Sequence, residues 1–433
     1  MKTLLLSVVA AGLAWVGHAQ LHYTPYTFVT LAGNGEAGST DGPAASARFN
    51  WPIGLAIDTS GVLYVADGLN ETIRKITPDG IVSTVAGKAG EHGSTDGPAS
   101  AARFSFPRGM AVDLAGNLYV VEGGNDTLRK ITPDGMVSTL AGTPGKWGWT
   151  DGLGSQAGFF APNDITIGEG GILFVTDNNN FAVRRITPEG WVTTFAGKTS
   201  VDFQLHMGSA DGTGSNARFD QPCGIDVDAV GNLFVADSAN GTIRRITPDA
   251  VVTTFAGKAG QPHSDPIDGP GDVARFKMPH GIAVDVHGNV FVTERASHTI
   301  RRITPTGEVT TVAGASGMPG GDDGTGAQAR FYHPGAIAVD KDGCLYVAEY
   351  MAHRIRKGWP ATAPKLSRPE AKPDGSVQLE VTGVVGSSYR IEASMDLADW
   401  VPVAVCKSTD SSTLVALPPP ANSANKFYRA VLE

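Results

Sequence analysis

Short apolar runs alternate with clusters of turn residues along most of this chain, and the alternation is periodic. An Ala-Gly pair ends a run rich in Val, Thr and Phe at intervals of 54 to 60 residues. The six pairs begin at Ala32, Ala86, Ala141, Ala196, Ala256 and Ala313. A fixed period of this length is typical of a repeat architecture.

Each repeat contains four apolar runs bounded by Gly, Pro, Asp or Asn. In the first complete repeat the runs cover residues 54–58, 63–67, 72–76 and 82–87, and the fixed turn motifs are Asp-Gly and Pro-Asp-Gly. Runs of this length rich in Val, Ile, Leu, Thr and Tyr favour β-strands, and the motifs between them favour turns. Four strands in each of six units predict an all-β, six-bladed β-propeller.

The two ends of the repeat region complement each other. Residues 28–33 match the fourth strand of a repeat, whereas the sixth repeat breaks at residues 357–360 without a fourth strand. We therefore expect the N-terminal strand to complete the sixth blade. This closes the ring and removes two free sheet edges.

A compositional change after Trp359 marks the end of the repeats. Residues 360–373 are rich in proline and predict a linker, and five short apolar runs follow at 377–381, 388–392, 401–405, 412–416 and 426–431. We expect a propeller over residues 26–359, a linker over 360–373 and a small β-sandwich module over 374–433.

The first nineteen residues are typical of a secretory signal peptide. Lys2 precedes a short apolar core that ends near Val16, and small residues precede an expected cleavage between Ala19 and Gln20. The core is too short to span a membrane, and no later segment is apolar enough to do so. We therefore predict a secreted, periplasmic or cell-surface location without a transmembrane segment.

The net charge and the cysteine content limit the expected binding partners and disulfides. The formal net charge of −9 disfavours nucleic acid, whose phosphates require a basic surface. The three cysteines, Cys223, Cys344 and Cys406, are scattered and odd in number, so we expect no structural disulfide.

Several runs resemble NHL repeats, among them Pro-x-Gly-Ile-Ala-Val-Asp, Gly-Asn-Leu-Tyr-Val-Ala-Asp and Thr-Ile-Arg-Lys-Ile. The resemblance covers residues 26–357, and the repeat is similar to the long-loop subtype found in secreted bacterial and plant proteins, here the bacterial type. Residues 389–400 and 427–430 resemble a C-terminal module of exported planctomycete and verrucomicrobial proteins. There the module is thought to assist surface placement or adhesion.

The best candidate site is the mouth of the central channel, where the innermost strands of a propeller begin. Residues that differ between repeats can encode a site there, whereas residues common to all repeats build the scaffold. The predicted ligand-binding residues are Trp51, Ile53, Phe106, Arg108, Asn163, Asp164, Cys223, His280 and His333. The aromatic residues beside Arg108 would suit a small polar or sugar-like ligand, and the alternative is drift at an exposed rim.

A metal centre remains an alternative at the same place. The regucalcin/gluconolactonase family uses carboxylate and Asn oxygens in its channel, and the NHL-like peptidylglycine amidating lyases use His. This chain offers only His280 and no carboxylate among its inner-strand positions, with Asp164 as the nearest acid. We predict no cofactor, although calcium or zinc stays possible. His298 and His353 share one loop position and could bind a metal or respond to pH.

Three charged series occur in every repeat and are expected to be structural. We expect the acids to hold turns through backbone N–H groups and the arginines to pair with them. The acidic series is Asp67, Glu122, Asp177, Asp237, Glu294 and Glu349. The Asp-Gly series is Asp41, Asp96, Asp151, Asp211, Asp268 and Asp323. The arginine series is Arg74, Arg129, Arg184, Arg244, Arg301 and Arg356.

Two functions remain open. The first is a monomeric binding scaffold that presents its loop-rich face to a protein or glycan outside the cytoplasm. The second is a metal-dependent lyase or lactone hydrolase at the channel mouth. The sequence contains no recognised catalytic motif, so no catalytic residue is assigned.

Overall fold

A computed structural model describes residues 25–199, 206–261 and 264–361, together with short stretches of the C-terminal tail: 365–366, 370–372, 376–382, 388–394, 401–407, 412–417 and 427–432. The predicted signal peptide and its cleavage position lie outside the described residues. The repeats form six antiparallel sheets arranged as the blades of a propeller, which confirms the predicted fold class.

Each blade has the predicted four strands, numbered outward from the channel. The innermost strands are Pro52–Ile57, Pro107–Val112, Pro162–Ile167, Pro222–Val227, Pro279–Val284 and Pro334–Val339. The second strands are Leu63–Asp67, Leu118–Glu122, Leu173–Asp177, Leu233–Asp237, Val290–Glu294 and Leu345–Glu349. The third strands are Thr72–Ile76, Thr127–Ile131, Ala182–Ile186, Thr242–Ile246, Thr299–Ile303 and Arg354–Pro360. The fourth strands of blades one to five are Ile81–Gly87, Met136–Ala141, Trp191–Gly197, Val251–Gly257 and Glu308–Gly314.

A fifth, two-residue strand lies outermost in every blade and was not predicted. These strands are Gly42–Pro43, Gly97–Pro98, Gly152–Leu153, Gly212–Thr213, Gly269–Pro270 and Gly324–Thr325. Each begins at the Gly of the Asp-Gly motif, which we interpreted as a turn. The Asp carboxylate holds this segment against the fourth strand, because Asp41 accepts hydrogen bonds from the backbone N–H and hydroxyl of Thr84 at 3.0 and 3.3 Å.

Short 3-10 turns connect several strands in the described ranges: Gly68–Asn70, Gly154–Gln156, Glu169–Gly171, Asn178–Asn180, Gly214–Asn216, Ser238–Asn240, Gly326–Gln328 and Tyr350–Ala352. No helix in the described part of the chain has the length and apolarity that a membrane span requires.

The N-terminal strand closes the ring, as predicted. Tyr26–Ala32 pairs antiparallel with Arg354–Pro360 and forms the fourth strand of blade six. Residues 357–360, which interrupt the repeat pattern, therefore remain in a strand, because Tyr26 to Val29 supply a pairing partner. The innermost strands also pack around the channel in a complete circle, with Pro334–Val339 against Pro52–Ile57.

The hydrophobic core lies between neighbouring blades. Ala66 and Ile73 of blade one, for example, pack in one buried cluster with Phe104, Leu118 and Val120 of blade two. Comparable clusters occupy the other interfaces between neighbouring blades. Each blade is thus stable only against its neighbours, which is the physical reason for a closed ring.

One buried polar node recurs in all six blades, with Arg74 of blade one as an example. Its Nη1 donates to Asp67 at 2.8 Å and its Nη2 pairs with Asp41 at 2.5 Å. Its guanidinium carbon lies 5.3 Å from the centre of the Phe49 ring, within the range of a cation–π contact. Asp67 also accepts the backbone N–H of Asn50 at 2.6 Å. The expected pairing and turn-holding roles of the three charged series are therefore present.

The geometry of this node is nearly constant around the ring. The Nη1 atom lies 2.7–3.2 Å from its buried carboxylate, and the guanidinium lies 5.0–5.4 Å from its Phe ring. The arginine side chains are fully buried, so their charges depend on these partners.

The tail forms two small sheets, and these confirm the predicted extra β-module. Lys365–Leu366, Glu370–Ala371, Val377–Thr382 and Ser412–Leu417 form one sheet, and Ser388–Ser394, Val401–Lys407 and Phe427–Leu432 form the other. Leu379, Val381, Tyr389, Ile391 and Val415 share a buried cluster between the two sheets. The first two strands lie within the predicted linker. Their pairing uses backbone groups, which the proline-rich composition does not reveal.

The buried node predicts a difference in stability between two variants of blade two. Glu122→Gln leaves Arg129 without its buried carboxylate and with only the half-exposed Asp96 as an ionic partner, so we expect a loss of about 3 kcal/mol in the free energy of unfolding. Glu91→Gln removes the same charge from an exposed pair with Arg103 and should change stability little. Denaturant unfolding measures both variants. Equal stability of the two would show that the node does not support the fold.

Ring closure yields a second prediction. Phe28, on the N-terminal strand, is fully buried and packs edge-to-face on Phe331 at 5.0 Å. Phe28→Ala should destabilise the propeller by about 3–5 kcal/mol because it empties a core position. Val251→Ala, on the partly exposed start of another fourth strand, is the control, with an expected change within about 0.5 kcal/mol. If thermal unfolding shows no difference between them, the N-terminal strand does not close the ring.

Candidate functional site

A cavity of about 240 Å³ lies where the innermost strands begin. Three positions of the repeat supply its lining: the residue before the Pro that begins the innermost strand, the residue after that Pro, and the residue that follows the second strand. The lining residues are Trp51, Ile53, Phe106, Arg108, Asn163, Asn178, Gln221, Cys223, Ser238, Met278, His280, Arg295 and Tyr350. Nearly all of them differ in type from blade to blade, whereas the residues of the buried node recur in every blade.

Seven of the nine predicted residues line this cavity together. They are Trp51, Ile53, Phe106, Arg108, Asn163, Cys223 and His280. Asp164 and His333 do not line it. The ligand-binding role of the seven remains a prediction.

Six lining residues were not among the nine predicted ones. Gln221 and Met278 occupy the first position. The other four, Asn178, Ser238, Arg295 and Tyr350, occupy the third, and each directly follows the acid that ends a second strand. The signal was present in the sequence, since the residue after each repeat-wide acid varies as strongly as the predicted series. In blades one and two this position is occupied by Gly68 and Gly123.

Two arginines dominate the electrostatics of the cavity. The Arg108 guanidinium lies 5.0 Å from the centre of the Phe106 ring, and its Nη1 donates to Asn163 Oδ1 at 3.3 Å. Gly123 makes room for it, because a Cβ there would collide with the guanidinium. The Arg295 guanidinium lies 4.9 Å from the centre of the Tyr350 ring. Burial lowers the pKa of Arg108, and Arg295 lowers it further.

Cys223 and His280 enter the same cavity from adjacent blades as neutral groups. Burial raises the pKa of the Cys223 thiol to about 11, so the thiol stays protonated at neutral pH and is a weak nucleophile. Burial and the two arginines lower the pKa of His280 to about 3, so its imidazole carries no charge. Asn178 Nδ2 lies 3.5 Å from Cys223 Sγ, which fixes the thiol against the wall.

Asp164 lies deeper, in the wall of the channel, and not at the mouth where it was predicted. Its carboxylate accepts the backbone N–H groups of Ile165 at 2.9 Å and of Ile225 at 3.1 Å. Asp226 forms a similar bridge to the next blade through the N–H of Val284 at 2.8 Å. The acid at position 164 replaces a repeat glycine in order to join two innermost strands. Burial raises the pKa of Asp164 to about 7.

His333 belongs to the rim of the mouth. Its ring lies 4.9 Å from that of His298 and 5.8 Å from that of Tyr350. Its backbone N–H donates to His298 Nδ1 at 3.2 Å, and the N–H of Trp51 donates to His353 Nδ1 at 3.3 Å. His298 and His353 are therefore backbone acceptors between blades. Glu71 and Asp126 fill the same role for Phe106 and Ala161.

The rim has an unusual backbone conformation. The residue two positions before the varied inner-strand residue has a positive φ of 48–58° in every blade, at Trp51, Phe106, Ala161, Gln221, Met278 and His333. This left-handed region is uncommon for residues other than glycine. The interblade hydrogen bonds described above hold four of the six in place, at Trp51, Phe106, Ala161 and His333.

The donors at the mouth do not fit a divalent cation. Its ionisable lining groups are two guanidinium groups, a protonated thiol, one neutral imidazole and the Tyr350 phenol, and none is a carboxylate, whereas Ca²⁺ needs several oxygen ligands and Zn²⁺ about four N, S or O ligands. No group of three or more His, Cys, Asp or Glu side chains arranged to hold a metal occurs among the described residues.

Family models match two parts of the chain. The model of the NHL repeat matches residues 276–303, which include the innermost strand and the next two strands of blade five. The model of the teneurin NHL domain matches residues 31–98.

The chain is an NHL-repeat β-propeller.

One relative is an NHL repeat-containing protein, and solved structures share the fold alone. NHL repeat-containing protein 2 of Bos taurus is 28% identical over 337 residues, which are 71% of this chain and 46% of the relative, so the match spans less than half of the relative. A Bacteroides thetaiotaomicron structural-genomics protein has the same fold at 22% identity and a TM-score of 0.59, covering 78% of this chain and 76% of that one. An auxiliary nutrient binding protein of Bacteroides thetaiotaomicron follows, at 20% identity and a TM-score of 0.57, covering 78% and 77%.

We expect the two histidine acceptors, His298 and His353, to make the stability of this NHL-repeat propeller sensitive to acid. Burial lowers the pKa of both His298 and His353. The unfolded chain therefore binds more protons, and the stability that these residues contribute is lost as the pH falls below about 6.5.

Substitution tests this origin of the acid sensitivity. The double variant His298→Glu/His353→Glu places at both positions the residue that blade one uses, and the carboxylates still accept the N–H groups at mildly acidic pH. Its melting temperature should fall less than that of the wild type between pH 7.5 and 5.5. His92→Gln, an exposed histidine, is the control and should follow the wild type. Parallel curves for all three proteins would contradict the assignment.

Proposed function

We propose that this NHL-repeat propeller is an exported, non-catalytic binding protein. Its channel mouth takes one end group of a ligand, and the loop-rich face around the mouth supports the protein or glycan that presents this group. One observation carries the proposal: three positions of the repeat that differ in residue type between blades converge on one cavity, whereas the buried node recurs in every blade.

The chemistry of the cavity supports binding without catalysis. A nucleophile needs an adjacent base or a lowered pKa, but the Cys223 thiol is held protonated by burial. A general base needs a pKa close to the working pH, but the pKa of His280 is lowered to about 3. The aromatic side chains of Trp51, Phe106 and Tyr350 provide apolar walls, which suit an organic group.

The fold comparison agrees with a binding role. One solved structure of the same fold is described as an auxiliary nutrient binding protein, although at 20% identity the likeness shows the fold alone. A metal-dependent lyase or lactone hydrolase receives less support, because the two arginines oppose a cation at the mouth.

The variant Trp51→Ala tests the location of the site. Ala161 occupies the corresponding position of blade three with a similar φ, so the backbone accepts alanine there. We expect binding to an immobilised glycan or peptide array to weaken at least tenfold, because Trp51 forms one wall of the cavity. Trp191→Ala removes a half-exposed tryptophan from the far end of blade three and should leave binding unchanged.

Two outcomes would overturn the proposal. Equal binding by both variants would place the ligand away from the mouth. A rise in melting temperature with calcium or zinc that EDTA reverses and Trp51→Ala leaves intact would favour the metal-dependent enzyme, since a ligand that binds only the folded state raises its stability.

A further inference from the structure

We propose that the end group held at the channel mouth is an anion, a carboxylate, sulfate or phosphate, bound between Arg108 and Arg295. This inference rests on the proposed function and names the chemical class of the ligand.

The two arginines approach the cavity from opposite sides of the ring. Arg108 belongs to the innermost strand of blade two, and Arg295 follows the second strand of blade five, three blades away in a ring of six. Each is an exception within its series. The other blades have Ile53, Asn163, Cys223, His280 and Gly335 where blade two has Arg108. They have Gly68, Gly123, Asn178, Ser238 and Tyr350 where blade five has Arg295.

Neither guanidinium forms an ion pair with a carboxylate of the described residues, in contrast to the six repeat arginines. Arg108 Nε is buried and has no hydrogen-bond partner within the described part of the protein. Asp126 is the carboxylate that influences Arg108 electrostatically, but it accepts the backbone N–H of Ala161 at 2.7 Å. Arg108 therefore keeps a donor available for a ligand. The side chain of Arg295 bonds to Tyr350, but a guanidinium has five N–H donors, so this contact does not exhaust them.

The surroundings compensate the positive charge only at a distance. His280 and Cys223 are neutral, and the carboxylates of Asp126, Asp164 and Asp226 accept backbone N–H groups and form no ion pair with either arginine among the described residues. Two like charges in a partly desolvated cavity repel each other, and an anion between them removes that repulsion. Arginine also binds planar carboxylates and phosphates through two parallel hydrogen bonds, which lysine does not.

The size and walls of the cavity define the rest of the ligand. A volume of about 240 Å³ lies below the roughly 300–1,000 Å³ of sites that enclose a drug-sized molecule. It therefore takes one ring or a comparable end group. Trp51, Phe106 and Tyr350 line it, so an apolar or sugar ring that bears the anion can lie against aromatic faces.

Matched sugars test the inference on the full mature chain by titration calorimetry. Methyl glucuronide differs from methyl glucoside in the carboxylate alone, and glucose 6-phosphate and glucose 6-sulfate present tetrahedral anions on a similar ring. We expect at least one of the three anionic sugars to bind at least tenfold more tightly than methyl glucoside. The strongest of the three identifies the carboxylate, phosphate or sulfate source.

Charge-removing variants connect the effect to the two arginines. Arg108→Gln and Arg295→Gln should each remove the preference for the anionic sugar, and Arg295→Lys should retain part of it. The control Arg185→Gln removes an equal charge on the third strand of blade three and should leave the preference unchanged. Arg295→Gln should also keep or raise the melting temperature without ligand, because it relieves repulsion. A structural role for Arg295 would lower it.

Failure of the anion site and failure of the proposed function would give different results. Equal affinity for neutral and anionic sugars, with loss of both in Trp51→Ala, would overturn the anion but retain the binding site. An anion preference that survives both glutamine variants would also overturn the inference. Absence of binding by all four sugars, together with array binding that Trp51→Ala does not weaken, would overturn the proposed function as well.

Discussion

The buried arginine is the interaction on which the rest of the propeller depends. In each blade it connects the acid at the end of the second strand, the Asp that begins the outermost segment and the Phe that enters the blade interface. A fully buried guanidinium is tolerable only when its hydrogen bonds are satisfied, so these partners have to be present together. The same acid also accepts an N–H next to the channel mouth, as Asp67 does from Asn50. The node therefore fixes the loop from which the mouth residues project.

This arrangement separates stability from recognition. The node and the interblade clusters use positions that are nearly constant in every repeat, whereas the mouth uses three positions of the repeat whose side chains take no part in the node. Side chains as different as Arg108, Cys223 and His280 therefore occupy equivalent places without changing the backbone. An NHL-repeat ring with a different set of mouth residues would keep this fold and bind something else, which is why fold alone does not identify the ligand.

The sequence predicted the fold well because the repeat displays each element six times. The missing fourth strand of the sixth repeat even indicated how Tyr26–Ala32 closes the ring. The site was predicted in part. The innermost-strand series was recognised, but Arg295 and Tyr350 were not. Each directly follows an acid that recurs in every repeat, and this regular series indicated a structural role for that part of the blade. Asp164 was misplaced because the sequence does not show that its carboxylate accepts the N–H of Ile225 in the neighbouring blade.

Closure by the first strand also sets an order of events during biosynthesis. Tyr26–Ala32 emerges from the ribosome before the other described strands of the propeller, yet its partner Arg354–Pro360 is made more than 300 residues later. Until then its backbone N–H and C=O groups have no partner within a completed blade, and the last interblade interface stays open. Joining ends so distant in sequence makes the final step slow, because contacts between remote segments require the closure of a long loop. The propeller can therefore complete its fold only after all six blades have been synthesised.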